Sequence, residues 1–242
     1  MKILIIRHAD PDYDADSLTT QGWKEAQLLS ERISAMDIAK FYVSPLGRAK
    51  DTASLTLKKM HREAEECQWL REFAPLIHRP DKEGKSITWD WLPQDWTVIG
   101  DFYDHKKWME HASMQEGNVA EEYKWVTDSF DKILARHGYM REGNYYRAQH
   151  SNMDTIAFFC HFGLECVLLS HLLGISAMAL WHGTCAAPSS VTTLITEERR
   201  QGIASFRMSS FGDVSHLLAA GEQPSFSARF CECFENENER HD

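Results

Sequence analysis

Short apolar runs, each ending in a polar or charged group, alternate along this chain with stretches of helical period. Residues 2–7 open it. Ile3-Leu4-Ile5-Ile6 is long enough for one buried strand and delivers Arg7 and His8 at its carboxyl end. Leu18-Thr19-Thr20 then starts a helix with a threonine as N-cap, and Ala26, Leu29, Ile33 and Met36 recur on one face. Phe41-Tyr42-Val43 predicts a second strand. Residues 48–60 predict a second helix, with Ala49, Thr52, Ala53, Leu57 and Met60 inward. Ile156–Cys160 predicts a third strand and ends at His161. Beyond it Leu164, Val167, Leu168, His171 and Leu172 form an apolar stripe, which Gly174 closes as a C-cap. Val191–Thr196 and Ile203–Met208 predict a hairpin through the polar stretch Glu197–Gly202. Strands separated by helices predict an α/β fold, a three-layer sandwich with a mostly parallel sheet and helices on both faces.

The stretch from about 79 to 150 breaks the rhythm. Trp89, Trp91, Trp96, Phe102, Trp108 and Trp125 sit there among charges, and residues 115–137 read as helical. An inserted lid over the strand ends, within a single domain spanning 1–242, accounts for it. The plainer alternative is helical packing against the sheet. The tryptophans of 89–96 could stack on an aromatic or sugar leaving group, although such rings more often belong to a core. The polar, acidic stretch Glu232–Asp242 is expected to fray.

Composition narrows the class. With 242 residues and 43% apolar content the chain can build a real core. No run reaches the roughly 18 apolar residues of a membrane helix, and Met1-Lys2 leads straight into a strand with no cleavage site behind it. A cytoplasmic protein with no membrane partner is expected. Six scattered cysteines form neither a disulfide framework nor a paired zinc pattern. Cys160 and Cys166 read as packed thiols, and Cys231-Glu232-Cys233 is too closely spaced for an ordinary metal site. A formal charge of −10 argues against nucleic acid as a partner. It leaves room for a small phosphorylated substrate, because a few convergent arginines make a local positive pocket.

Strand ends at the rim of an open α/β sheet are where such folds build sites. Two apolar runs end there in Arg7-His8 and His161, and the turn Ser44-Pro45-Leu46-Gly47-Arg48-Ala49 brings a second arginine. Phosphate monoester hydrolysis needs a nucleophile, cations around the transferring oxygens and an acid for the leaving group. His8 is the candidate nucleophile. Arg7 and Arg48 are candidate clamps, since guanidinium forks grip phosphate oxygens and stay charged. His161 is the candidate second imidazole. Glu72, in Trp69-Leu70-Arg71-Glu72 after a short strand, is the candidate acid; Glu116, Glu121 and Glu122 in the insertion are alternatives. Tyr13 is a candidate for the rim of the pocket, and His182 either touches substrate or packs in a loop. Glu165, one helical turn beyond His161, is expected to face solvent. His78, His105, His111, His137 and His150 show no ligand spacing and read as surface residues.

With those residues in order, the chain resembles the histidine phosphatase superfamily, the phosphoglycerate mutase-like group, in its larger branch. The matching residues are Leu4-Ile5-Ile6-Arg7-His8-Ala9, Leu18-Thr19-Thr20-Gln21-Gly22 with Ala26, Ser44-Pro45-Leu46-Gly47-Arg48-Ala49 with Thr52-Ala53, Leu70-Arg71-Glu72, Cys160-His161-Phe162-Gly163 and Leu172-Leu173-Gly174. The resemblance implies His8 as the phosphorylated histidine, with Arg7, Arg48 and His161 around the phosphoryl group and Glu72 as proton donor. It also implies no metal and no organic cofactor. The family usually has glycine after each of the two histidines; Ala9 and Phe162 stand there in this chain. Asp10-Pro11-Asp12-Tyr13 replaces the residues that mutase members carry, which favours a phosphatase.

Two rivals share the site. One is a phosphoglycerate-type mutase or phosphotransferase, in which a second hydroxyl replaces water as acceptor. The other is a weakly active protein that binds a phosphorylated ligand, although pure binding has no need of an acid. The family's substrates range from sugar phosphates and phosphoglycerates to nucleotides, cofactor precursors and phosphoproteins, and no motif in the insertion selects among them. The oligomeric state stays open, with the aromatic face of the insertion as a surface that could pair a homodimer.

Overall fold

The structure, a computed structural model, describes residues 1–241. The opening apolar run is β1 (Lys2–Arg7), with only Lys2 exposed. A short ladder, β2 (Pro11–Asp12) against β3 (Ser17–Leu18), leads to α1 (Thr20–Ser34). Thr19 caps this helix by accepting from the Gly22 N–H. β4 (Lys40–Val43), α2 (Gly47–Met60) and β5 (Ala64–Glu66) follow. A hairpin of β6 (Leu76–His78) and β7 (Lys85–Ile87) and two short helices, α3 (Pro93–Trp96) and α4 (Ala112–Glu116), precede α5 (Val119–Arg136). Then come β8 (Tyr139–Glu142), β9 (Tyr145–Ala148), β10 (Thr155–Cys160), α6 (Phe162–Leu173) and α7 (Ala177–Gly183). β11 (Val191–Arg200), β12 (Ile203–Asp213) and the short α8 (Ser215–Ala219) complete the succession.

Eight strands form one sheet in the order β5-β4-β10-β1-β11-β12-β9-β8. β5, β4, β10 and β1 are parallel; from β11 outward each pairing is antiparallel. Side chains of β1 alternate between faces, as a strand requires. Ile3 and Ile5 join a core that includes residues of α5, α6 and α7, while Leu4 and Ile6 join a second core with Leu29 and Ile33 of α1 and Ala53 of α2. This is the three-layer α/β sandwich. The register places Arg7 beside Cys160 and Phe159 beside Val43, so β1, β10 and β4 end nearly level. The next residue of each, His8, His161 and Ser44, emerges at one rim.

Three features depart from the sequence reading. Residues 139–148 do not cover the strand ends: β8 pairs with β9 and β9 with β12, which widens the sheet. The helical stretch near 115–137 is broken at Gly117-Asn118, where Asn118 takes a left-handed φ of 51°. Much of the insertion packs as core, with Trp91, Phe102 and Trp108 buried against the α6 side of the sheet, as the plainer alternative anticipates. The β11–β12 hairpin is longer than its apolar runs and turns at Gln201-Gly202. Residues 231–241 carry turns and no helix or strand; Asp242, the last residue of the stretch expected to fray, lies outside the described residues. Among the described residues no helix is long and apolar enough to cross a membrane.

Candidate active site

His8 leaves β1 with its backbone N–H donating to the Cys160 carbonyl, which fixes it beside β10. Its ring Nδ1 lies 2.8 Å from the Ala9 carbonyl oxygen. A carbonyl only accepts, so Nδ1 carries the proton and Nε2 keeps its lone pair. Burial, then the charge of Arg7, pushes the His8 pKa well below the usual histidine value. The His161 ring centroid is 5.1 Å away, and its Nε2 lies 2.7 Å from Ser44 Oγ. Burial and then the neighbouring His8 lower its pKa as well, and its buried Nδ1 has no partner among the described residues.

The two arginines are held from outside the pocket. Arg7 Nη1 donates to the Ala186 carbonyl at 2.6 Å, and the guanidinium lies 5.7 Å from the Phe162 ring centre. Phe162 is buried and meets Trp89 edge to face. The ring that replaces the family's usual glycine thus braces Arg7. Arg48, in the first turn of α2, donates to Asp16 Oδ1 at 2.7 Å. The other oxygen of Asp16 accepts the Gly47 N–H at 2.7 Å. Burial alone would raise the Asp16 pKa, but the Gly47 amide and Arg48 hold it below the usual range. A Cβ at Gly47 would stand 2.1 Å from the Asp16 carbonyl oxygen, so this turn admits only glycine. Tyr13 stacks on Arg48 at 5.4 Å and is 65% exposed, which puts it at the rim of the pocket.

Glu72 follows a 3-10 turn, Gln68–Leu70, rather than a strand directly. Its Oε1 accepts from the Phe73 N–H at 2.8 Å and the Leu164 N–H at 3.0 Å. Burial raises its pKa, against those amides and the charges of Arg7 and Arg48. Gly163 makes the approach possible: a Cβ there would meet Trp89 Nε1 at 2.7 Å and Glu72 Oε1 at 2.8 Å. The alternative acids are engaged elsewhere or point outward. Glu116 pairs with His78 and Lys85, Glu122 pairs with Arg71, and Glu121 is exposed.

Two residues lie elsewhere than the sequence suggests. His182 sits on α7, not in a loop. Its Nε2 accepts the Trp91 N–H at 3.0 Å, its Nδ1 is 2.7 Å from the Met178 carbonyl, and its ring stacks on Trp96. Burial pushes its pKa down to about 4. With both nitrogens taken, it anchors the 89–96 segment and has no free nitrogen to offer a substrate. Glu165, expected on the solvent side, is only 1% exposed. A helix enclosed by the sheet, α5 and α7 has no solvent face. Burial pushes Glu165 up to about 7, against a hydrogen bond from Thr192, and its Oε1 has no partner among the described residues. Sequence reasoning missed Asp16, Ser44 and Thr52, whose Oγ1 accepts the Ala9 N–H at 2.9 Å. Ser44, in a turn already marked by Pro45 and Arg48, and Thr52, on the inward face of the second helix, carried a signal; Asp16 carried none.

An imidazole whose pKa burial lowers, two guanidiniums and a carboxyl whose pKa burial raises thus converge at one rim. Among the described residues no cluster of histidine, cysteine and carboxylate side chains could hold a metal.

The model of the histidine phosphatase superfamily (branch 1) matches residues 3–208. No curated protein matches the chain. Among solved structures, phosphoserine phosphatase from Entamoeba histolytica in complex with 3-phosphoglyceric acid is similar at TM-score 0.57 and 17% identity, over 89% of this chain and 98% of that one. The native mycobacterial glucosyl-3-phosphoglycerate phosphatase gives 0.57 and 17%, over 87% and 98%. The alpha-ribazole phosphatase from Shigella flexneri gives 0.54 and 16%, over 88% and 97%. At such identities the likeness is one of fold.

Proposed function

Because the chain belongs to the histidine phosphatase superfamily, branch 1, we propose that it is a phosphatase that hydrolyses a phosphate monoester through a phosphohistidine on His8. The hydrogen bond from His8 Nδ1 to the Ala9 carbonyl carries this reading, because it leaves Nε2 as an unprotonated nucleophile at the rim. The similar structures carry the names of phosphatases, which supports the phosphatase part of this reading.

The reaction runs in two steps. Nε2 attacks phosphorus in line, the P–O ester bond breaks, and the leaving oxygen takes the proton of Glu72. Water then gives a proton to the Glu72 carboxylate and attacks phosphorus, the P–N bond breaks, and inorganic phosphate departs. Arg7 and Arg48 balance the charge on the equatorial oxygens. A phosphoryl dianion beside His161 favours its protonated form, which adds a donor.

The test is hydrolysis of p-nitrophenyl phosphate in the presence of a chelator by wild type, His8→Ala and Arg48→Ala, with mass spectrometry of rapidly quenched enzyme. Turnover in wild type with a covalent phosphoryl adduct, both lost in His8→Ala, is expected. Arg48→Ala should fold normally and lose orders of magnitude in turnover. Turnover surviving in His8→Ala would move the nucleophile elsewhere. Phosphate binding by wild type without any adduct would make the protein a binder.

A further inference from the structure

A second cavity, of about 420 Å³, lies at the far end of α6. His161 caps the start of that helix, whereas Ser170 to Gly174 at its other end line the cavity. At 1.5 Å per residue, Ser170 to Gly174 lie about 14 to 20 Å along the axis from His161, so this space is separate from the phosphoryl site. Its size falls in the range of small-molecule pockets.

The lining divides into an apolar side and a cationic side. Met109, Leu172 and Leu173 supply apolar surface. Arg141 is held in place: Nε donates to the Gly143 carbonyl at 2.7 Å, and Nη1 donates to Tyr146 Oη at 3.0 Å and to the His171 carbonyl at 3.1 Å. Its Nη2 has no partner among the described residues. The Lys106 side chain has no hydrogen-bond or ion-pair partner there either, and His105 stands beside the Asp104 carboxylate. No carboxylate lines the cavity. Two acids stand beside it: Asp131, occupied by Tyr146 Oη at 2.8 Å and His171 Nε2 at 2.9 Å, and Asp104, whose Oδ1 accepts the Lys106 and Lys107 N–H groups at 2.8 and 3.2 Å. The carbonyl end of α6 opposes an anion. Two of those carbonyls are already matched, however: His171 by Arg141, and Ser170 by the Gly174 N–H at 2.9 Å. What remains is positive charge beside an apolar wall, held in place at Arg141 and exposed at Lys106, on a protein whose net charge is −10.

We propose that this cavity is a binding site for a small organic anion, with its charged group between Arg141 Nη2 and Lys106 and its apolar body against Met109 and Leu172. Titration calorimetry with naphthalene-1-sulfonate, which has no ester to cleave, tests it on the whole protein. Orthovanadate is added in excess to fill the phosphoryl site. One site per chain is expected in the vanadate-loaded protein. Lys106→Glu should weaken it roughly tenfold while leaving p-nitrophenyl phosphate turnover unchanged, and the neutral naphthalene-1-methanol should bind roughly tenfold more weakly than the sulfonate. Loss of binding on vanadate addition, with Lys106→Glu binding the probe as wild type does before vanadate, would place the probe in the phosphoryl site. Equal binding to Lys106→Glu, or equal binding of the alcohol, would remove the cation from the recognition. Any of these results overturns the proposal.

Discussion

Burial moves His8 and Glu72 in opposite directions for one reason: it disfavours charge, which lowers the pKa of the imidazole and raises that of the carboxyl. kcat/KM should therefore fall on the acid side as His8 takes up a proton, below the ordinary histidine value. It should fall on the alkaline side as Glu72 ionises, above the ordinary glutamate value. Glu72→Gln should slow an alkyl phosphate by about 10²- to 10⁴-fold and p-nitrophenyl phosphate, whose leaving group needs little help, much less. Equal losses on both substrates would remove Glu72 as the acid. Glu165 bears on stability instead. Its carboxyl moves from 4.5 to about 7 on folding. It costs nothing while protonated in both states; the penalty builds as pH rises from the lower value through the higher one and is constant beyond. It amounts to on the order of 3 kcal/mol. Urea denaturation at pH 5 and pH 8 should show Glu165→Gln gaining stability relative to wild type at the higher pH. An unchanged difference between the two pH values would mean that the carboxyl does not titrate there.

At the scale of elements, the first turns of α2 and α6 present the site. Gly47 lets α2 start against Asp16, and Gly163 lets α6 start against Glu72 and Trp89. Gly163→Ala forces a Cβ to within 2.8 Å of Glu72 Oε1, so the carboxyl or the helix must shift. We expect a loss of about 1–3 kcal/mol in stability together with a fall in kcat greater than that in Asp16→Ala. Asp16→Ala frees Arg48 and the Gly47 N–H but leaves Glu72 in place, and should act chiefly through KM. Kinetics of both variants separate displacement of the acid from loosening of the clamp; a kcat unchanged in Gly163→Ala would mean that Glu72 accommodates the methyl.

At the scale of the molecule, the two cores meet at the sheet, and Phe158 of β10 ties its face to the insertion. It stacks on Tyr42 at 4.8 Å and meets Phe130 of α5 edge to face at 5.5 Å. Phe158→Ala should destabilise the protein by about 3–5 kcal/mol in urea unfolding. A cost near zero would mean that the insertion packs on the sheet without depending on this contact.

The sequence by itself determined the alternation of strands and helices, the caps at Thr19 and Gly174, and which residues reach the strand ends. Each depends on local periodicity or on a neighbour a few residues away. It also placed Arg7, His8 and His161 at strand ends, because an apolar run stops where its first charged or titratable residue stands. Only the tertiary structure decided what surrounds them. Glu72 meets Leu164 across 92 residues and Arg48 meets Asp16 across 32. The His8 tautomer follows from the path of Ala9. Glu165 changes from a solvent-facing residue to a buried acid because its helix is enclosed on every side. β8 and β9 join the sheet because β12 leaves an edge open to them. Such contacts leave no period in the chain, since they form between segments that meet only once the layers have packed.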